Sequence, residues 1–502
     1  MTTLEASPPD NLRSRLFSGL RWKVGSQVMQ QLLNLGSAVV MARLLSPEDF
    51  GLLSMASVFT GIVYVVLDLG LGAALVQRKN IEPQHVSSIF WMNVSVGLCL
   101  SLMGIALSWP IAIFYKTPAV QWVIAALACC FSIAALGSTQ EALLTRKMHF
   151  RALEFRRMLS HLVGIITGLI MAYLGWGVWS LVGRIVITSL LGTALLWYIS
   201  SWRPTWKFRW VDVREMSGFS NDVLGGNLLG YVGRNADNLL IGRFLGAIEL
   251  GFYSMAYNLM TAPLDRIAQV LAGVLFPALS RQQENLSKVK QSWFRASQLV
   301  VAVVIPLVVG LILLAPELVQ VFYGEKWLPA VPILQILAVR ALVVSLKALD
   351  GTVLMAIGQT RLRLNMIALS VGVAVLSFLI GIPFGIRGVA LSFTSFTSLI
   401  SMIGLYLTLK CVNSSFVAYF GNLSGILFAT AGMTVGVFTM KLIWLDSAVN
   451  LLMTAILLGG ILYLRLLQLM APDVIQQGIG ILPNHWANKF LRFSTRSNSQ
   501  VP

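Results

Sequence analysis

The stretch ARLLSPEDFGLLSMA, from Ala42 to Ala56, returns two hundred residues later as GRFLGAIELGFYSMA, from Gly242 to Ala256. Six of the fifteen positions are identical, and four more exchange similar residues, such as Asp49 for Glu249. Composition alone predicts only about one or two identities in a stretch of this length. The chain therefore contains an internal repeat, and its architecture depends on how large the repeating unit is.

The composition is that of a membrane protein. Of the 502 residues, 57% are hydrophobic and 11% are charged, against roughly a quarter charged in soluble domains. Apolar stretches of about 18 residues or more recur along the chain, long enough to cross the hydrocarbon layer as helices. Four cysteines lie in or beside such stretches without the spacing of zinc ligands: Cys99, Cys129, Cys130 and Cys411. We expect neither a bound metal nor a cofactor.

The apolar stretches predict an all-α polytopic protein with about fourteen transmembrane helices. We place these helices at 24–44, 50–76, 86–114, 119–144, 155–174, 176–199, 218–245, 249–279, 295–317, 329–357, 363–384, 386–409, 420–441 and 447–469. Helices 1, 7 and 8 carry several polar residues, and helices 5 and 6 are joined by little more than the tripeptide GWG.

The lysines and arginines indicate how the chain is oriented. An even number of crossings leaves both termini on one side, and the segments on that side hold 26 of these cations against 6 on the other. This bias predicts cytoplasmic termini. It places Arg146, Lys147, Arg151, Arg156 and Arg157 together in one cytoplasmic loop. Anionic lipids beside such loops account for the net charge of +17, so we expect membrane lipids and no nucleic acid as partners.

The matching stretches join helices 1–2 and helices 7–8, so the repeating unit is six helices. Six crossings return the chain to the same side, and the two copies are therefore parallel repeats related by an axis along the membrane normal. Two further echoes agree: LLTRKMHFR before helix 5 corresponds to LMAIGQTRLR before helix 11, and GWGVWSL opens helix 6 as GIRGVAL opens helix 12. Helices 13 and 14 have no counterpart.

This repeat divides the chain into six segments. They are a basic cytoplasmic N-terminus (1–23), an N-lobe of helices 1–6 (24–199), a cytoplasmic linker (200–217), a C-lobe of helices 7–12 (218–409), the extra helices 13 and 14 (420–469) and a cytoplasmic tail (470–502). We expect the two extra helices to pack on the outside of the lobes, because their few charged residues lie near helix ends.

Five cations fall inside the predicted helices: Arg184, Arg234, Arg266, Arg340 and Lys347. Each costs about 2.5–3.5 kcal/mol at the centre of a membrane helix, so we expect each to face protein or a hydrated cavity. Arg340 has no carboxylate within one helical turn and is the strongest candidate for a ligand-binding cation. Arg184 has the alternative of extending to the membrane interface.

The other intramembrane cations have acidic neighbours. Arg234 with Asp237, Arg266 with Asp265, and Lys347 with Asp350 either bind substrate or neutralise each other as structural pairs.

Several uncharged and acidic residues also stand out in these helices. Gln30 and Asn34 belong to a polar stripe on helix 1, with Gln27 and Gln31, that faces a cavity or another helix. Asp68 is alone in helix 2. Asp68, Asp237 and Asp265 are candidates for binding a coupling ion or, alternatively, for pairing with arginines.

A surplus of arginine inside the membrane suits an anionic substrate. The guanidinium group binds phosphate oxygens through two parallel hydrogen bonds and stays charged at working pH. The chain has no GxxxxGK[ST] loop for ATP and neither the HExxH nor the GxSxG motif of hydrolases, and its four histidines are scattered. The sequence therefore favours a transporter over an enzyme, with Arg340, Arg234, Arg266, Lys347, Gln30 and Asn34 as candidate substrate-binding residues.

The order of these motifs resembles a known family. ARLLSPEDFGLLSMA after a glutamine-rich first helix, RNADNLLIGRFLG at 234–246 and YGEKWLPAVPILQILAVRAL at 323–342 resemble the Wzx-like, colanic-acid-exporter-like polysaccharide flippases of the MOP exporter superfamily. The resemblance covers about residues 18–470. We interpret FYGEKW at 322–327 as an aromatic belt at the outer membrane interface.

The resemblance implies a MATE-like fold of two six-helix lobes with two extra helices and a hydrated basic cavity. It also implies the substrate, an undecaprenyl-diphosphate-linked oligosaccharide moved across the bacterial inner membrane, and a polysaccharide polymerase or assembly proteins as partners. One alternative is a MATE-type exporter of small molecules, whose cavity should be acidic or apolar to suit cationic substrates. Another is a membrane glycan polymerase or ligase, which should carry a long catalytic outer loop.

The charge bias predicts that the loop between helices 4 and 5 faces the cytoplasm. In a variant whose native cysteines are replaced by alanine, Arg151→Cys should resist a membrane-impermeant maleimide added to intact spheroplasts. Lys326→Cys, in a predicted outer loop, is the control that should be labelled. Labelling of the cysteine at position 151 from outside would overturn the predicted orientation.

Overall fold

The computed structural model of the protein describes residues 12–67, 75–76, 81–211, 221–443 and 447–481. Within these residues the secondary structure consists of helices and turns. The long helices are α1 (Leu12–Leu44), α2 (Pro47–Leu67), α3 (Pro83–Tyr115), α4 (Ala119–Arg146), α5 (Phe150–Tyr173), α6 (Val178–Ile199), α7 (Asn221–Phe244), α8 (Ala247–Ser280), α9 (Leu286–Leu313), α10 (Ala330–Leu346), α11 (Thr360–Gly381), α12 (Gly385–Cys411), α13 (Phe416–Ile443) and α14 (Ala448–Met470). A shorter helix, α15 (Pro472–Ile481), follows.

These helices lie where the apolar stretches predicted them, with two main differences. Helix α1 begins at Leu12, inside the segment predicted as a cytoplasmic terminus, and α10 ends at Leu346 and resumes as a short helix at Asp350–Ala356. The predicted single helix 329–357 is therefore broken. Its break contains Lys347, whose amide donates to the Val344 carbonyl in place of a regular helical bond.

Ten segments of the described chain are long and apolar enough to cross a membrane, and one of them, 360–411, contains both α11 and α12. The protein is thus an all-α polytopic membrane protein. Over the residues that the structure describes, α1, α7 and α8 are not among these segments. They are the helices whose polar residues were evident in the sequence, so the expected total of fourteen spans is not confirmed.

The chain forms two compact units, Met1–Ser254 and Met255–Pro502. In the first unit, α4 packs against both α3 and α6, and α5 packs against α6. In the second unit, α10 packs against both α9 and α12, and α11 packs against α12. The same three neighbour pairs therefore recur six helices later, as expected for a six-helix repeat.

The two copies of the repeated stretch touch each other reciprocally inside the first unit. A Cβ atom added to Gly51 would overlap the carbonyl oxygen of Ala247, and one added to Gly251 would overlap the carbonyl oxygen of Pro47. Pro47 and Ala247 occupy equivalent positions in the two copies, as do the two glycines. A contact in which each copy offers the same two sites to the other is the signature of a local two-fold relationship.

The contact between copies continues along α2 and α7. The Tyr231 hydroxyl of α7 donates a hydrogen bond of 2.9 Å to the Ser57 carbonyl of α2. It lies against Gly61, where a side chain would displace it. Small residues on α2 therefore let α7 approach closely, which explains why the first compact unit includes the first helix of the second copy.

The turns before α5 and α11 have the same hydrogen bonds. After each preceding helix, three successive amides donate to carbonyls four, three and five positions back. The middle residue is left-handed in both turns, with a φ of 56° at Met148 and 77° at Gly358. The similarity between LLTRKMHFR and LMAIGQTRLR therefore corresponds to a repeated turn. The first copy has a methionine at the left-handed position, where only glycine avoids a steric cost.

A third echo links the turns after α3 and before α10, and the sequence analysis missed it. Phe114–Tyr115 and Phe322–Tyr323 each precede a left-handed residue, Lys116 with φ 56° and Gly324 with φ 94°. Both turns lead to the tripeptide Pro-Ala-Val, and the second copy inserts the 3-10 turn Glu325–Trp327. Trp327 is fully buried. The interpretation of FYGEKW as an interfacial aromatic belt is therefore wrong for this tryptophan, which belongs to the core.

The two helices without counterparts pack on the second unit, where α13 contacts α9 and α14. Lys441 near the end of α13 forms an ion pair of 2.7 Å with Glu317 and donates to the Leu313 carbonyl. The ammonium group thus holds α13 to the segment that follows α9. Helix α15 packs against α9 and α14.

The reciprocal glycine contacts predict that alanine destabilises the protein at Gly51 and Gly251 but not at glycines outside the contact. Gly51→Ala and Gly251→Ala should each lower the free energy of unfolding by about 1–3 kcal/mol, because the added methyl group meets backbone that cannot rotate away. Gly36→Ala and Gly273→Ala are matched helical controls with no atom within 4 Å of the new methyl group. They should be neutral or slightly stabilising. Equal thermal shifts for all four variants in detergent would contradict the contact.

Candidate functional site

A polar cavity of about 290 Å³ lies among α1, α4, α5 and α6 of the first unit. Helices α5 and α6 approach closely because Gly164 faces the Thr188 hydroxyl and the Arg184 carbonyl. All four helices contribute polar residues to the lining of the cavity. These residues are Gln30, Glu141, Arg156, Arg157, Ser160, His161, Thr188, Ser189 and Thr193. Gln30, a predicted substrate-binding residue, thus lies at a cavity large enough to hold water. The polar lining of this cavity can offer hydrogen bonds and charge to a ligand.

Two arginines and two glutamates form an ion-pair cluster at this cavity. Arg157 contacts Glu141 at 2.6 Å and Glu154 at 2.8 Å, and Arg156 contacts Glu141 at 3.4 Å. The buried Glu154 also accepts a hydrogen bond of 2.5 Å from the Ser26 hydroxyl of α1. The cluster connects three helices, and its two positive and two negative charges balance each other.

This cluster corrects the assignment of Arg156 and Arg157 to a loop, whereas the cytoplasmic position of residues 146–157 stays a prediction. Both residues lie in α5, and Arg156 is buried. The sequence did contain a signal, because Glu154 and Arg157 are three residues apart and therefore neighbours on a helix. Arg156 Nε is buried and has no hydrogen-bond partner among the described residues.

Asn34, the second predicted residue of α1, lies in an adjacent polar cluster. Its Oδ1 accepts a hydrogen bond of 2.6 Å from Arg184 and lies 2.9 Å from His161 Nε2. Arg184 also donates to the Ser37 hydroxyl at 3.3 Å. Because Asn34 Oδ1 accepts both bonds, His161 carries its proton on Nε2. Arg184 therefore binds α1 within the protein and does not extend to the membrane interface.

The candidates on α7 have different surroundings. Asp237 is buried and accepts hydrogen bonds from the Tyr253 hydroxyl at 3.2 Å and the Asn238 amide at 2.8 Å. The side chain of Arg234, one turn away, is exposed. Asp237 thus ties α7 to α8, and the assignment of Arg234 to substrate binding stays a prediction.

In the second unit, Arg340 projects from α10 onto α12. Its Nε donates a hydrogen bond of 2.9 Å to the Thr397 hydroxyl, and its guanidinium carbon lies 4.5 Å from the centre of the Phe393 ring. Both contacts are with uncharged groups, and they hold the guanidinium plane in one orientation. Such an orientation leaves the remaining N–H groups pre-positioned for an anion.

Lys347 and Asp350 flank the break in α10. Asp350 is 5% exposed, and neither of its carboxylate oxygens has a hydrogen-bond partner among the described residues. Lys347 and Asp350 therefore do not form a direct ion pair, which was one of the two alternatives for these residues. Lys347 also lies near Arg340. This region combines two cations with one carboxylate and so keeps a positive surplus.

The remaining candidates cannot be placed in the same way. Asp68 lies outside the described residues. Helix α8 includes Asp265 and Arg266, but their side chains are outside the described part of the structure. Their roles as coupling and substrate-binding residues stay predictions.

An apolar groove of about 590 Å³ runs along the second unit between α9, α13, α14 and α15. Its walls are almost entirely hydrophobic, with Val303, Leu307 and Leu464 among the lining residues. Gly310 and Gly460 widen it, because a side chain at either position would enter open space. The groove was not predicted, because it depends on how far apart these four helices lie.

The fold and these charged helices place the chain among all-α, multi-pass membrane proteins, and the same fold is found in solved flippase and MATE structures. A solved lipid II flippase MurJ in an inward closed conformation matches 91% of this chain and all of that chain, with a TM-score of 0.71 and 15% identity. A multidrug resistance MATE transporter in an inward-facing conformation matches 76% of this chain and 94% of that chain, with a TM-score of 0.59 and 15% identity. These likenesses establish the fold alone, and they confirm the predicted MATE-like class.

The family itself is established by sequence. Residues 40–332 match the model of the polysaccharide biosynthesis protein family, and the chain belongs to this family. It is similar to the lipopolysaccharide biosynthesis protein WzxC of Escherichia coli strain K12, with 26% identity over 69% of this chain and 71% of that protein. The resemblance to Wzx-like polysaccharide biosynthesis proteins is thereby confirmed.

The ion-pair cluster predicts a non-additive mutational series. Arg157→Gln should lower the free energy of unfolding by about 1–3 kcal/mol, because it leaves the buried Glu154 without its cation. Adding Glu154→Gln to this variant should restore part of the loss, as measured by thermal unfolding in detergent. Arg281→Gln, at an exposed position, is the control and should change nothing. If the double variant lost the sum of the two single effects, the pair would contribute no coupling.

Proposed function

We propose that the protein is a flippase. It moves an undecaprenyl-diphosphate-linked oligosaccharide from the cytoplasmic to the outer face of the bacterial inner membrane by alternating access, for lipopolysaccharide or exopolysaccharide biosynthesis. The observation that carries this proposal is Arg340, an arginine inside an apolar spanning segment whose described contacts are a hydroxyl and an aromatic ring. An anionic guest would offset the cost of placing this charge in the membrane.

The substrate class follows from two features of the second unit. Arg340 and Lys347 offer cationic groups suited to a diphosphate, since guanidinium binds phosphate oxygens bidentately. The groove along α9, α13 and α14 offers an apolar surface suited to an isoprenoid chain. An amphipathic lipid-linked sugar uses both features, whereas a small hydrophilic anion uses only the first.

The energy for export requires no nucleotide. A negative cell interior favours outward movement of an anionic head group by about 2.3 kcal/mol per charge per 100 mV. Counterflow of a cation would add to this, with Asp68, Asp237 and Asp265 as the carboxylates proposed to carry it. The protein acts in this scheme as a transporter and not as an enzyme, with both termini in the cytoplasm and a polysaccharide polymerase or assembly proteins as partners.

Two alternative functions, a drug exporter and a glycan polymerase or ligase, agree less well with the charges and loops of the described chain. A MATE-type exporter of cationic drugs would be repelled by the positive surplus around Arg340 and Lys347. A glycan polymerase or ligase would need an extended outer segment, but Leu314–Pro329 is folded into helical turns and buries Trp327. Uptake of a fluorescent lipid-linked oligosaccharide into reconstituted vesicles, compared with a cationic dye, distinguishes the flippase from the exporter.

The role of Arg340 predicts a graded loss of export. Arg340→Ala should abolish it, and Arg340→Lys should retain charge but export roughly 10–100-fold more slowly, because one charge-assisted hydrogen bond is lost. Arg361→Ala, at an exposed helix end, is the control and should export normally. Vesicles with equal amounts of folded protein provide the comparison.

Thr397→Val separates binding from structure. It removes the hydrogen bond to Arg340 while keeping the guanidinium, so it should lower export far less than Arg340→Ala. If Thr397→Val and Arg340→Ala had the same effect, or if Arg340→Ala lost the protein itself, Arg340 would be structural. Normal export by Arg340→Ala would remove the residue from the substrate site.

A further inference from the structure

The described linker after α6, residues 200–211, forms a strap fixed to the start of α3. It is irregular over residues 200–209 and enters a helical turn at Trp210. The Thr205 amide and hydroxyl contact the Ser87 hydroxyl at 3.2 and 2.9 Å, and the Arg209 amide donates to the Ser88 hydroxyl at 3.1 Å. The Trp91 indole donates to the Thr205 carbonyl at 2.8 Å. These bonds hold residues 205–209 against the first turns of α3.

The outer side of the strap alternates aromatic and cationic side chains. Trp206, Phe208 and Trp210 are 89%, 49% and 60% exposed, and Lys207 and Arg209 between them are exposed as well. The Trp206 ring stacks on Trp91, with centroids 4.6 Å apart. Residues 200–211 contain no acidic residue. The strap therefore presents a surface that is both aromatic and positively charged.

The position of the strap matches the edge of the hydrocarbon layer. It follows Ile199, the last residue of an apolar spanning segment, and it lies on residues 84–91 at the start of another. Tryptophan prefers the headgroup layer, where its indole ring is partly in apolar surroundings and its N–H is hydrated. Lysine and arginine prefer the same layer when anionic lipids are present.

Arg203 has a separate structural role in the strap. It donates to the carbonyls of Trp197 and Ser200 at the end of α6 and lies 5.6 Å from the Trp197 ring centre. It therefore caps α6 and fixes where the strap leaves the helix. The exposed cations of the strap are Lys207 and Arg209, and Arg209 also donates a hydrogen bond of 3.5 Å to Gln84 Oε1 of α3.

We propose that this strap is a binding site for anionic phospholipids, with Lys207 and Arg209 contacting the phosphodiester groups and Trp206 and Trp210 lying among the headgroups. Aromatic rings exposed at this level are covered by lipid, and neighbouring cations select lipids of negative charge. This site goes beyond the proposed export function, because it recognises the surrounding membrane and not the transported molecule. It anchors the segment that joins the two six-helix repeats to one leaflet.

The test uses the full-length protein, stripped of lipid in detergent and titrated with phosphatidylglycerol or phosphatidylcholine. Native mass spectrometry measures the bound lipid. The double variant Lys207→Gln/Arg209→Gln should bind phosphatidylglycerol roughly 30-fold more weakly, at roughly fivefold for each cation, with phosphatidylcholine unaffected. The double variant Arg281→Gln/Lys288→Gln removes the same net charge at exposed positions of the second unit and should keep the native affinity.

A second variant separates the aromatic from the cationic contribution. Trp206→Ala changes a side chain that is almost fully exposed, so the protein should remain folded and should bind both phospholipids more weakly. Equal phosphatidylglycerol affinity in the strap and control double variants would overturn the proposal. Displacement of phosphatidylglycerol from the native protein by millimolar glycerol phosphate would also overturn it, since the site would then recognise a soluble anion and not a lipid surface.

Discussion

The architecture depends on one close backbone contact, in which Gly51 lies against Ala247 and Gly251 against Pro47. Helices in a membrane gain little from hydrophobic burial against each other, because lipid is equally apolar, so close packing of small residues stabilises their association. Two glycines at equivalent positions let the copies meet without an intervening side chain. The hydrogen bond from Tyr231 to Ser57 and the small Gly61 extend this contact along α2 and α7.

The charged residues inside the membrane obey a second constraint, since each must be compensated where water is scarce. The first unit achieves this internally, with two arginines and two glutamates in contact and with Arg184 bound to Asn34 and Ser37. The second unit does so incompletely, because Arg340 contacts a hydroxyl and a ring while Asp350 has no direct partner among the described residues. The proposed substrate site rests on this incomplete compensation around Arg340.

The positions of the helices and the six-helix repeat could be predicted from the sequence, because apolar length and internal similarity are local properties of the chain. The polar stripe of Gln30 and Asn34 could also be identified, since their spacing marks one face of a helix, and their roles in substrate binding stay predictions. Arg156 and Arg157 were assigned to a loop because their partner Glu141 belongs to another helix, which the local charge pattern does not reveal. The burial of Trp327 and the break in α10 depend likewise on neighbours distant in sequence.

The contact between the copies also determines the order in which the protein can assemble. Ala247 and Gly251, which complete the packing around α2, are synthesised after all six helices of the first repeat and after α7. Proteins fold from the N-terminus as the ribosome extends the chain, but here the first compact unit waits for the beginning of the second repeat to enter the membrane. A polypeptide ending in the linker would lack α7 and the start of α8, and with them the residues that contact α2. The two repeats are therefore similar in sequence but are not two independent folding units.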